Sequence, residues 1–338
     1  MQNLLQKFES YTNNAKSGIL PQEICLFELL ENTIAILSNK NVNGLAEAPV
    51  PAVPIIVIPD IHGRVEFLLS IFKYTLPASI FPGTVFDALM EKKVCIVCVG
   101  DGIHGEGRVK KRWQDAYKKY QKGKINSIFM MHEMAENLAV MCMIMEAKIA
   151  FPNFFHFLKG NHENILNEQG NGNYPFRKFA LEGEMTYSFM LSEFGKEVVL
   201  LYAKFEHMMP LMFRGSNVLV SHAQPIRAFS VEEIQNGRCN HEIVTGLTWT
   251  ANDVANETAV STMLKTWLSN SSDAVYLGGH RPVTGKYALR CDGRYIQIHN
   301  PDTWGIAIVS PNKKFNPETD IVYTDEKYSL STINCIID

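Results

Sequence analysis

The sequence has little charge and almost none in excess: 20% of its residues are Asp, Glu, Lys or Arg, and 32 basic against 35 acidic side chains leave a formal net charge of -3. Such a chain exerts no global pull on a nucleic-acid polymer or an anionic membrane, so neither is expected as a partner. Cysteine is sparse and odd in number, at seven. Several lie in apolar stretches (Cys95, Cys98, Cys142), which suits reduced thiols and points to the cytoplasm. Cys95 and Cys98, three apart on a strand, face opposite ways and make a poor redox pair. Met1 to Ser10 lacks the apolar run and small-residue cleavage site of a signal peptide. The most apolar long segment, Ser127 to Ala150, carries His132, Glu133, Glu136 and Glu146. That many ionisable groups would be costly in lipid, so a buried soluble helix is expected. There is no internal repeat and no sign of disorder, and a hydrophobic share of 46% over 338 residues is ample for a packed core.

Taken in order, residues 1 to about 45 carry helical patterning, with a second start at Pro21 and Leu26, Phe27, Leu30, Ile34 and Leu37 at helical spacing. Ala46 to Pro54, with prolines 49, 51 and 54, reads as a stiff connector. The division expected is a helical extension over 1–52 and a catalytic domain over 53–338. From Arg108 to Lys124 there are eight basic residues and one acid, Asp115, with Trp113, Tyr117 and Tyr120 interleaved. Two readings stay open: an electropositive wall for a phosphate-rich substrate, or a solvated helix, as charge runs usually are. Asn167 to Asn173 is a polar, glycine-rich loop, and Tyr295 to Ile298 and Gly305 to Val309 are late strands.

What the chain does have is one construction used five times, an apolar strand that stops and delivers polar, chemically competent side chains. Ile55 to Ile58 runs into Asp60 and His62; Val94 to Val99 into Asp101; Phe157 and Leu158 into Asn161, His162 and Glu163; Val218 to Val220 into His222; Ala274 to Leu277 into His280. Ligands of α/β sheets bind outside the carboxyl ends of the strands, so five such ends can converge on one crevice. An Asp or Asn after a single strand is ordinary turn chemistry. Five together form a metal site. Oxygen and imidazole donors without thiolate suit Mn²⁺ first, then Fe or Zn²⁺, and there are too many for one ion. Two metals bridged by a carboxylate form the recurring device for in-line displacement at phosphorus. The reaction class expected is phosphate-ester hydrolysis. His156, His299 and, with less force, His207 read as satisfied core histidines, Glu163 as a group that orients its neighbours, and Trp249 as packing.

Asp60-Ile61-His62-Gly63, Gly100-Asp101, Gly160-Asn161-His162-Glu163, Ser221-His222 and Gly279-His280 together resemble the ordered motifs of the calcineurin-like metallophosphoesterases. Phe205 to Pro210, His222-Ala223-Gln224-Pro225 and Leu247-Thr248-Trp249-Thr250 are most similar to the phosphoprotein phosphatase branch, which includes Ser/Thr phosphatases and symmetrical diadenosine tetraphosphate hydrolases. The resemblance covers about residues 53 to 310. It implies an α/β (α+β) fold of two mixed sheets sandwiched together and flanked by helices. It also implies that Asp60 and His62 hold metal 1, that Asn161, His222 and His280 hold metal 2, that Asp101 bridges, and that His162 protonates the leaving alkoxide.

The second motif departs from the family's Gly-Asp-x-Val-Asp-Arg-Gly, standing as Gly100-Asp101-Gly102-Ile103-His104-Gly105-Glu106. The aspartate that orients the general acid and a phosphate-binding arginine are absent from their places. Glu106 and Arg108 are candidates to replace them, and His104 is a candidate extra acid or phosphate ligand. Arg177 and Arg281 are candidates for the second phosphate arginine. The final motif is Gly279-His280-Arg281-Pro282, without the second histidine of the Gly-His-x-His pattern. The first expectation for substrate is a phosphoprotein. The alternatives are a nucleotide or dinucleoside polyphosphate, and a non-catalytic metal-binding scaffold of the same fold.

Overall fold

The computed structural model describes residues 2–38, 44–170, 174–269 and 272–328. Two sheets face each other. One carries five strands in the order β11-β10-β2-β3-β4, the other six in the order β1-β5-β6-β7-β9-β8. The strands are β1 Leu45–Glu47, β2 Ile55–Ile58, β3 Cys95–Cys98, β4 Phe155–Phe157, β5 Met212–Arg214, β6 Val218–Ser221, β7 Val275–Gly278, β8 Ala288–Arg290, β9 Tyr295–Gln297, β10 Gly305–Val309 and β11 Ile321–Tyr323. In the first sheet β2, β3 and β4 run parallel; in the second β6, β7 and β9 do.

Strand alternation sorts the core into layers. Ile55, Val57, Cys95, Val97 and Val99 meet Val218, Val220, Val275 and Leu277 between the sheets. Ile56, Ile58, Ile96 and Cys98 point the other way, into helices. Leu219 and Tyr276 face a third cluster on the outer side of the six-stranded sheet, with Leu247, Val260 and Leu264. Because both faces of each sheet are covered, the strands are continuous apolar runs rather than alternating ones. Cys95 and Cys98 accordingly lie on opposite faces.

The helix Ile128–Ala150 is, among the described residues, the only one long and apolar enough to cross a membrane, and it is mostly buried inside the protein. The two N-terminal helices, Gln2–Lys16 and Glu23–Ser38, pack on this layer, with Phe8, Leu26 and Leu30 in the same cluster as Ile56 and Ile58. The second helix starts two residues after Pro21. Part of the expected connector is strand: Leu45 to Glu47 pairs in parallel with β5. The helical patterning at 39–43 and the end of the loop at 171–173 lie outside the described residues.

Candidate metal centre

Because the parallel strands of each sheet end on the same side, the loops after β2, β3, β4, β6, β7 and β9 meet at one rim of the sandwich. Backbone bonds stitch them together: the amides of Ile61 and His62 donate to Asp101 O at 3.1 and 2.7 Å, and Gly63 N donates to Gly102 O at 2.9 Å. Glu163 clamps the loops from behind, its carboxylate accepting from the amides of Gly160 (2.7 Å), Asp101 (3.0 Å) and Gly102 (2.9 Å). His62, Asp101, His104 and His280 all have positive φ. Such backbone is uncommon outside glycine and is held only where the surroundings over-determine it. Two glycines are dictated by close approach. A Cβ at Gly279 would stand 1.8 Å from Asp60 Oδ1, and one at Gly160 would stand 2.1 Å from Asp101 Oδ1.

Within this rim Asp101 Oδ2 lies 3.7 Å from His62 Nε2 and 3.4 Å from His222 Nε2. On one side Asp60 Oδ2 is 3.9 Å from His62 Nε2. On the other, Asn161 Oδ1 is 2.9 Å from His222 Nε2 and 3.0 Å from His280 Nδ1. Donor atoms of Asp60, His62 and His299, and those of Asp60, Asp101 and His222, each fall within 4.8 Å of one another. Donors sharing an ion at about 2.1 Å stand about 3.0 Å apart when adjacent and at most about 4.2 Å apart. The pairwise distances above therefore fit one ion on each side of Asp101. A further trio, His62, His104 and His162, also lies close together but offers imidazole alone.

Electrostatics agree with a site built for cations. Burial pushes Asp60 up to about 6 against the pull of His299, and burial together with Glu163 and Asp60 pushes Asp101 well above the carboxylate range. Burial drives His62 and His280 down to about 3 and His162 and His222 well below their usual value. Neutral imidazoles with free lone pairs beside crowded buried carboxylates are what metal ligation requires. The Nδ1 atoms of His162 and His299 are buried without a hydrogen-bond partner among the described residues, while His222 and His280 are hydrogen-bonded to the backbone of Val99 and Trp249.

The candidates drawn from the second motif lie elsewhere than expected. Glu106 does not hydrogen-bond His162; its Oε2 is 3.0 Å from His299 Nε2 and 3.5 Å from His62 Nε2, and its Oε1 accepts from Lys178 Nζ at 2.7 Å. Burial alone would raise the Glu106 carboxyl, but His62, His299 and Lys178 outweigh it and hold it well below the usual range. His104 is buried and stacks on His162, with ring centroids 4.7 Å apart and planes 18° from parallel, and its Nε2 is 3.8 Å from Glu182. Arg108 is spent on Glu136 at 2.8 Å, with the His62 carbonyl 3.5 Å away. The side chains of Arg177 and Arg281 are exposed, Arg281 beside His280. In the basic run Arg112 bonds Glu133 and Glu136, while Lys111 and Lys118 share Asp115. With Arg108, four of the eight basic residues of the run are thus ion-paired.

Three residues, Arg64, Lys178 and Phe176, were missed. His299, expected to be a satisfied core histidine, is fully buried two residues past β9, with Nε2 3.0 Å from Glu106 Oε2 and 3.9 Å from Asp60 Oδ2. The signal was present, since Ile-Gln-Ile-His is a sixth apolar strand delivering an imidazole. Arg64 is buried and donates to the carbonyls of Asp60 (2.5 Å), Asn300 (3.2 Å) and Thr303 (3.0 Å). Lys178, not Arg177, brings its cation to the site, and Phe176 packs 4.7 Å from the His162 ring. His156 is buried against Asn153 O at 3.2 Å, whereas His207 is half-exposed on a helix, 3.2 Å from Glu168.

Comparison with known proteins gives the family and the fold. The family model of calcineurin-like phosphoesterases matches residues 53–305. The chain belongs to that family. No curated protein matches its sequence. Among solved structures, a protein serine/threonine phosphatase from Saccharomyces cerevisiae, with similarity to human phosphatase PP5, superposes with a TM-score of 0.62 at 16% identity, over 94% of each chain. A cold-active protein-tyrosine phosphatase of a psychrophilic Shewanella matches more loosely, with a TM-score of 0.43 at 13% identity over 79% of this chain and 77% of that one. The fold shared with the yeast phosphatase is two mixed sheets flanked by helices.

Proposed function

We propose that this protein hydrolyses phosphomonoesters at a pair of metal ions and that its substrate is a phosphorylated Ser or Thr side chain of a protein. The observation that carries the reading is Asp101 Oδ2, which stands within 3.7 Å of a ligand nitrogen on either side, His62 and His222. Asp60 and His62 hold the first ion, Asn161, His222 and His280 the second, and Asp101 bridges. Oxygen and imidazole donors suit Mn²⁺ first, then Fe or Zn²⁺. When bound, such a pair supplies a hydroxide nucleophile at neutral pH and charge for the phosphoryl oxygens.

The chain's own groups do the rest. His162, 3.7 Å from Asp101 Oδ2 and backed by the stacked His104, holds the proton for the leaving alkoxide. Burial keeps its imidazole neutral here, and a dianionic phosphoryl group arriving beside it favours the protonated form. Arg281, exposed beside His280, is the cation offered to the phosphate at the rim, Lys178 being paired with Glu106. A single phosphate suits this supply better than a polyphosphate, because four cations of the basic run are already ion-paired.

The test is phosphate release with Mn²⁺ from an aryl phosphate, a phosphoserine peptide and diadenosine tetraphosphate, beside Asp101→Asn. We expect metal-dependent turnover of the first two that is lost in the variant. Preference for diadenosine tetraphosphate would replace the substrate assignment. No turnover on any, with two ions bound, would favour a metal-binding scaffold.

A further inference from the structure

The Gly279-His280-Arg281-Pro282 turn offers one imidazole, yet the rim contains a buried histidine and a buried glutamate that the ligand set above leaves unused. His299 Nε2 is 3.0 Å from Glu106 Oε2 and 3.9 Å from Asp60 Oδ2, and Glu106 Oε2 is 3.5 Å from His62 Nε2. With His62 Nε2 3.9 Å from Asp60 Oδ2, each of these donors stands within 3.9 Å of two others, and those of Asp60, His62 and His299 fall within 4.8 Å of one another. All four distances fall in the range of about 3.0–4.2 Å expected of atoms sharing an ion. His299 is fully buried and Glu106 nearly so.

Their placement is built rather than incidental. His299 leaves the end of β9, which lies parallel to β7, the strand that delivers His280. Arg64 fastens the two loops together: it follows Asp60 and His62 in the chain and donates to Asn300 O, Pro301 O and Thr303 O just beyond His299, as well as to Asp60 O. Val283 N donates to the His299 carbonyl at 2.8 Å, tying in the segment after His280. The outer oxygen of Glu106 is neutralised by Lys178, which leaves the inner one directed at the imidazoles.

We propose that Glu106 and His299 are ligands of the first metal ion, joining Asp60 and His62, with the His299 imidazole supplied from a neighbouring strand in place of the second histidine that the Gly279-His280-Arg281-Pro282 turn lacks. The proposal rests on the two-metal reading above. It gives the altered second motif a purpose: the segment from His104 to Glu106 contributes a metal ligand instead of a carboxylate for His162. A purely structural His299–Glu106 hydrogen bond is the rival explanation, and a glutamine, which keeps a donor for Glu106 but not an imidazole, separates the two.

The experiment strips the full-length chain with a chelator, reloads it with Mn²⁺ and counts free and bound ion by electron paramagnetic resonance, for wild type, His299→Gln, Glu106→Gln and His280→Ala. We expect two ions per wild-type chain. One should be weakened at least about tenfold by either His299→Gln or Glu106→Gln, and the other by His280→Ala. Electron spin-echo spectra should show four coordinated imidazoles in wild type and three in His299→Gln. Wild-type affinities for both ions in His299→Gln, or three imidazoles in wild type, would overturn the assignment; the second readout needs no variant to fold. A wild-type chain that binds a single ion, lost in His299→Gln, would uphold His299 as a ligand while refuting the two-metal reading.

Discussion

At the scale of single residues, the site is specified by atoms that have no room to move. Gly279 and Gly160 let backbone pass where a methyl would collide with Asp60 or Asp101. We expect Gly279→Ala to lose bound metal, since Asp60 must shift to admit the Cβ; titration with Mn²⁺ checks it, and wild-type metal content would contradict it. Asp101→Asn removes the shared negative charge. Loss of several kcal/mol of charge stabilisation corresponds to a fall of about 10³-fold or more in kcat. On the proposed role, in which the imidazole serves the leaving group and not the metals, His162→Ala should lower kcat by about 10²–10⁴-fold while leaving two ions bound. Metal loss in that variant would mean His162 is a ligand. The residues legible in the sequence were those that follow an apolar run directly. His299 obeys the same rule, but a histidine framed by isoleucine and asparagine late in the chain matched the commoner pattern of a core residue. Lys178, Arg64 and Phe176 could not be read at all, since their roles depend on which loops lie opposite.

At the scale of elements, five chemistry-bearing strands were visible because strands covered on both faces are unbroken apolar runs. β2 and β10 match the expected spans, β3, β6, β7 and β9 do so to within one residue at either end, and β4 starts two residues earlier than the expected Phe157. β1, β5, β8 and β11 are three-residue strands that, unlike the equally short β4 and β9, deliver none of the site's side chains. β1 in addition lies in a segment whose neighbouring prolines suggested a connector.

The long helix Glu182–Met208 is interrupted at Gly195, with φ 73° and ψ 173°. That backbone is essentially restricted to glycine, so Gly195→Ala should cost about 1–3 kcal/mol in denaturant unfolding. The same helix carries Glu206, which burial, only partly offset by Lys159, pushes up to about 8. Between about pH 4.5, where the unfolded side chain titrates, and about pH 8, the folded chain keeps a proton the unfolded chain has released. Stability should therefore fall as pH rises through that window, by up to about 1.4 kcal/mol per pH unit. Glu206→Gln should flatten this slope, and an unchanged slope in urea unfolding at several pH values would contradict the assignment.

At the scale of the whole molecule, function follows from putting two parallel runs of strands into facing sheets with their carboxyl ends on one rim. Neither sheet alone contains the centre: Asp60, His62, Asp101 and Asn161 come from one, and His222, His280 and His299 from the other. The two-sheet arrangement was legible only through the resemblance of the motifs, because nothing in a strand's pattern says which sheet it joins. The N-terminal helices are packed into the helix layer with Leu30 fully buried, so Leu30→Ala should cost about 2–5 kcal/mol of global stability. The basic helix Lys110–Tyr120 shows why a charge run is weak evidence by itself, as Arg112 pairs with Glu133 and Glu136 on another helix and Lys111 and Lys118 with Asp115 on their own.

The most direct measurement is anomalous diffraction from crystals of the Mn²⁺-loaded chain. We expect two peaks about 3.5–4 Å apart with Asp101 between them. A single peak, or two peaks that do not share Asp101, would contradict the two-metal centre.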